Sequence, residues 1–506
     1  MSNDARNLLR HALESDDVSA VDAAIRAHPE LLSSPDSRPA VTLARTVDMA
    51  ERLMALGGDT EAVSKWWGPG MGLRRVDQAV AGFLVERGAR LTAHAAAGLG
   101  LVDHLEEMLD ADPALIDAKG CDGCTPLHFS RDCATARLLL KRGARVDARD
   151  EDHESTPAQW LIGDAPEVSR LLLAHGAAPD IFLAAALGDR ALAGKIVAAD
   201  CTCLSYRIGK APEFPPIGHK HRGGTIYQWT LAFNSYPHQV ALLKGHTALF
   251  DYLFEKSDTT IRFLVSCVLA RREDAVAIAA RNPGLVASLP SVDLELLARY
   301  CWETNLNYDA VKLMLDLGFP LTHSETSHGY TALHNAAWAG AASLVELLLQ
   351  RGHPVDIVDP AYHATPLGFA MHDCLVEKRH PEGEFARVVQ MLLDAGSPWN
   401  ALCYPTGEAD LDNVLRPRLH LKIEGAALLG DEAAVSLLLS ENPDAGNLLW
   451  ALAGAAKGGH AAFCRRLLEA GAPATGTPAG DSNTPLMYAL KSGSPETVAV
   501  LKEYGA

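Results

Sequence analysis

Thr331-Ala332-Leu333-His334-Asn335-Ala336-Ala337-Trp338-Ala339-Gly340 is the stretch that decides the fold. Its opening returns along the chain as Thr125-Pro126-Leu127-His128, Thr156-Pro157, Thr365-Pro366-Leu367 and Thr484-Pro485-Leu486. Each copy leads into a small-residue helix, then a Leu-rich helix, then Gly-Ala or a relative. A Thr hydroxyl caps an orphan helix N–H, and Pro suits the first helical position. The Leu that follows points to the core, and small residues such as Ala336 and Ala337 let paired helices approach closely. The second helix carries Leu344, Val345, Leu347, Leu348 and Leu349 at helical spacing. Gly352 is then expected in the left-handed C-cap conformation. Gly143 and Gly176 lie 33 residues apart, and Gly318–Gly352 and Gly471–Gly505 each span 34.

A helix-turn-helix unit of this size cannot bury its own apolar face, so neighbours must stack. The phrase and its period resemble ankyrin repeats, and the resemblance covers nearly the whole chain. More narrowly, the chain resembles long bacterial ankyrin proteins with irregular inserted repeats. The resemblance implies an all-α solenoid, a curved stack whose concave surface is made of hairpin tips and first helices and mostly binds other proteins. Clean copies occupy 120–150, 151–180, 322–359, 360–398, 446–473 and 480–506. Degenerate ones fill 1–32, 37–59, 60–90, 91–119, 181–204, 229–257, 258–289, 290–320 and 418–444. The expectation is one continuous array over 1–506, roughly fifteen units with short hairpin tips.

Composition bounds the partners. The net charge of −18, from 45 Lys+Arg against 63 Asp+Glu, disfavours nucleic acid. No apolar run is long enough to span a membrane, and Ser2-Asn3-Asp4-Ala5-Arg6 opens into a helix rather than a leader. Ten cysteines form no disulfide framework, which fits a reducing cytoplasm. Cys121-Asp122-Gly123-Cys124 and Cys201-Thr202-Cys203 each lack a second ligand pair for zinc, so neither a metal nor another cofactor is expected.

Three segments break the period: 205–229, 374–385 and 399–417. Long loops in a compact array are usually functional or disordered. The first is a basic, aromatic island. It holds Arg207, Lys210, His219, Lys220, His221 and Arg222 with Tyr206, Phe214, Tyr227 and Trp229, against the single acid Glu213. It reads either as a lid for an anion or sugar-like ligand, or as a solvated loop paired with acidic neighbours. Directly after it, Tyr236-Pro237-His238-Gln239 sets His238 in the usual Leu slot. A polar ring there marks a site or a hydrogen-bonded core histidine.

Repeat register yields a second constellation. The two positions before the glycine that ends the first helix are Trp338 and Ala339 in one unit, His372 and Asp373 in the next, and Trp302 and Glu303 in the preceding one. Trp302, Trp338 and His372, spaced 36 and 34 residues apart, should form a row repeating at about 10 Å, a helix width. Tyr330 stands at the tip above it; Tyr362 and His363 belong to the next tip. Such a row reads as a recognition surface, or as half-buried packing.

Two function classes remain. One is a binding scaffold gripping a protein or ligand in the concave groove. The other is an enzyme or small-ligand receptor with a His/Trp pocket under 205–229, using His238, His372, Asp373 and Glu303 for acid–base work on an anionic or sugar-like substrate. No nucleophile elbow, phosphate loop or His-Glu-x-x-His occurs.

Overall fold

The computed structural model describes residues 3–33, 40–59, 73, 76–209, 224–324, 328–441, 443–479 and 481–506. Among them the regular structure is helical, with no β-strand. The chain divides into two compact units, Met1–Val265 and Ser266–Ala506.

The repeated phrase works through its fourth residue as much as its first. In the first unit, Nδ1 of His128 accepts the Thr125 backbone N–H at 3.0 Å, closing the start of the helical turn Pro126–Phe129. The proton is therefore on Nε2, which lies 3.2 Å from the Ser155 carbonyl of the next repeat. One imidazole thus caps its own turn and ties two repeats. His334 does the same in the second unit, with Thr331 N–H at 3.3 Å and Ala364 O at 3.2 Å. Where the slot holds glutamine the capping half survives: Gln159 accepts from Thr156 N–H and Gln239 from Tyr236 N–H. Burial holds His128 near a pKa of about 4, so the ring stays neutral and keeps its acceptor.

Packing follows the sequence pattern. In the second unit, helix Ala332–Trp338 lies on Leu296–Arg299 and on Pro366–His372, while helix Ala342–Gln350 lies on Tyr308–Asp316 and Phe385–Asp394. Leu333, Ala336, Ala337, Leu344, Val345 and Leu348 are fully buried between these layers. Gly352 closes the second helix with φ +82°, in the left-handed region that favours glycine. Cys267 and Cys464 are buried. The segment 399–417 is built around the helix Ala409–Leu415. No helix among the described residues is long and apolar enough to cross a membrane.

The insert at 374–385 shapes the site. After Pro366–His372 the backbone widens into a π-helical turn, Asp373–Glu377, and Lys378 takes a positive φ of 53°. The chain then folds back against the end of the preceding first helix. Gly340, at φ +61°, comes so close that a Cβ there would stand 2.6 Å from the Gly383 Cα. Glu384 N–H donates to the Gly340 carbonyl at 2.9 Å. Only glycine satisfies both the dihedral and the contact.

Candidate functional site

The end of a first helix is where side chains escape the helix-on-helix seam. In the second unit the rings of successive repeats meet there. Trp302 and Trp338 are nearly parallel, 5° between planes with centroids 6.4 Å apart. Trp338 and His372 follow at 5.9 Å. Tyr330, from the hairpin tip, lies 6.5 Å from Trp302 at 10°, and Tyr362 lies 6.4 Å from Tyr330. Phe369 stands edge-on to Tyr330 and Trp338 and supports both. The expected row therefore exists, but its rings lean together at about 6 Å instead of repeating at the helix width of about 10 Å. Bulky rings on neighbouring layers gain dispersion by closing the gap.

These rings line a cleft of about 530 Å³ that also exposes Glu377 and Arg379. Tyr362 and His372 are exposed, Trp302 and Trp338 half-buried, and Tyr330 buried. The Trp338 Nε1 is buried with no hydrogen-bond partner. An indole N–H enclosed without an acceptor is costly. His372 Nε2 sits 3.7 Å from Glu377 Oε1, and Arg379 Nε lies 3.3 Å from Glu377 Oε2.

The acids singled out by register, Glu303 and Asp373, converge not on His372 but on His380. The fully buried Asp373 accepts from His380 Nδ1 at 3.0 Å and from the backbone N–H groups of Arg379 and His380 at 3.3 Å. On the other side, His380 Nε2 is 2.6 Å from Glu303 Oε2. That approach is short but makes no hydrogen bond. His380 thus clamps the insert to the repeat that carries Trp302. The sequence offered one signal for it, a histidine inside the extra residues of 374–385. Its partners lie 7 and 77 positions away and share no motif with it.

Family models match this repeat and others: Ankyrin repeat at 122–151 and 328–360, and Ankyrin repeats (3 copies) at 423–506. The chain carries ankyrin repeats. Among solved structures, the ankyrin repeat domain of human ASB11 is 22% identical over 42% of this chain and 83% of that one, with a TM-score of 0.21. No curated protein matches the chain.

The remaining candidates lie elsewhere on the ankyrin framework. His238 belongs to the first unit and is fully buried, with Nε2 2.8 Å from the Ser257 hydroxyl and burial holding its pKa at about 4. It is a core histidine, which corrects its reading as a pocket residue. Tyr227 is also fully buried and donates to the buried Asp180 at 2.6 Å, so its hydroxyl is not offered to a ligand. Asp180 also accepts from Gln159 and from the N–H groups of Phe182 and Leu183. Arg207, expected on a basic lid, is instead 3% exposed, bonded to Asn234 and set over the Tyr236 ring. Trp229 is exposed. His363 turns outward at its tip with φ +53°, exposed but outside the cleft lining. His219, Lys220, His221 and Arg222 lie outside the described residues.

Proposed function

We propose that the aromatic cleft of the second unit is a recognition site for a segment of a partner protein. One observation carries the reading: a prestacked set of partly exposed rings, Trp302, Trp338, Tyr362 and His372, lines a cleft of ligand size. Tryptophan and tyrosine already ordered by one another lose little conformational entropy on binding, and such anchors dominate interface energies. Ankyrin arrays generally serve as protein-binding scaffolds, which supports a protein partner over a free small molecule.

Acid–base catalysis is the second reading, favoured by the buried Asp373 that orients His380. It is the weaker one. A general base needs a ring nitrogen free to reach substrate, and both nitrogens of His380 face carboxylates. Affinity capture with wild-type protein and a Trp302→Ala/Trp338→Ala variant, matched for folding by circular dichroism, tests the proposal. A partner held by the wild type should be lost from the variant. An unchanged partner set would overturn it.

A further inference from the structure

We infer that the segment held by this cleft presents an arginine side chain, an inference that rests on the partner-binding reading above. Trp338 and Tyr330 each hold their planes within about 10° of Trp302, so their electron-rich faces share one direction. A planar cation stacks on such faces by both dispersion and charge. Glu377 lines the cleft, whereas Glu303 and Asp373 are engaged by His380. Among the described residues Arg379 is the one guanidinium in the lining, and it is already paired with Glu377. Lys378 pairs with Glu408, which is not part of the cleft. Glu377 is the acid in that lining, and a chain of net charge −18 attracts a base and repels an acidic or phosphorylated segment.

A peptide carrying arginine supplies a guanidinium for the ring faces and for Glu377. Lysine offers a compact point charge with no face to stack and no fork for a carboxylate.

The test is an array of short random-sequence peptides probed with labelled wild-type protein and with Trp338→Ala. Peptides that lose signal with the variant report the cleft. They should be enriched in arginine. In titrations of one such peptide, replacing arginine by lysine should weaken binding by roughly threefold or more, and by uncharged citrulline by about tenfold. Glu377→Gln, at a half-buried position ending the π-helical turn, should weaken arginine peptides by roughly 3- to 10-fold. Cleft-dependent peptides without arginine enrichment, or citrulline binding as well as arginine, would overturn this inference and leave the partner-binding reading standing. No cleft-dependent peptide at all would overturn both. Trp338→Phe, which keeps a ring in place, serves if the alanine variant fails to fold.

Discussion

Neighbouring residues in this chain have opposite roles, and His372 and Asp373 show it. His372 has a side chain 52% exposed, one long polar contact to Glu377 and a ring stacked on Trp338. Asp373 is fully buried and takes three donors. His372→Ala should change stability by no more than about 0.5 kcal/mol. Asp373→Ala strands three part-buried donors and should cost about 1–3 kcal/mol, read from urea midpoints. Equal costs for the two would contradict the clamp. Tyr227 gives a parallel case in the first unit. Tyr227→Phe removes the 2.6 Å bond to Asp180, leaving a buried carboxylate that desolvation already pushes toward its neutral form. A loss of about 1–3 kcal/mol is expected in chemical denaturation, with cleft binding untouched.

At the scale of elements, the insert and the first helix before it form one wall of the cleft. Their junction depends on Gly340. Gly340→Ala combines a left-handed dihedral, worth about 1–2 kcal/mol against any other residue, with a Cβ driven into the Gly383 backbone. The wall should shift, so cleft binding should fall together with stability. Unchanged binding at reduced stability would separate the insert from the site. The capping histidines make a milder prediction. Gln159 and Gln239 fill the same slot in other repeats, so His128→Gln should fold with a loss of about 1 kcal/mol or less, the inter-repeat bond to Ser155 being the part at risk. Much of this level is legible in the sequence: Thr caps, closing glycines and the buried faces follow from short spacings. The junction is not, because Gly340 and Gly383 are 43 residues apart and a glycine in sequence does not say what approaches it.

Across the whole molecule, buried neutral histidines set the acid limit. His128, His238 and His353 are each held at a pKa of about 4 by desolvation, against 6.5 when exposed. Between those values the unfolded chain binds protons that the native state refuses. Their contribution is therefore complete above about pH 6.5 and is lost as pH falls toward 4, by roughly 3 kcal/mol for each ring. Unfolding midpoints should fall steeply between pH 6.5 and 4, and the slope should be shallower in His128→Gln, which removes one of the three rings. A flat profile over that window would contradict the neutral state of these rings.

What the sequence determined by itself is the helical repeat, since caps, apolar spacing and closing glycines act within one unit or between adjacent ones. It also determined that Trp302, Trp338 and His372 share a face, because equivalent positions in successive repeats project alike. Only the tertiary structure decided how far the rings close on one another, that Asp373 and Glu303 serve His380, and that His238, Tyr227 and Arg207 are buried. These outcomes turn on packing and desolvation among side chains distant in sequence. No local spacing encodes whether a polar group finds a buried partner or is left facing a cleft.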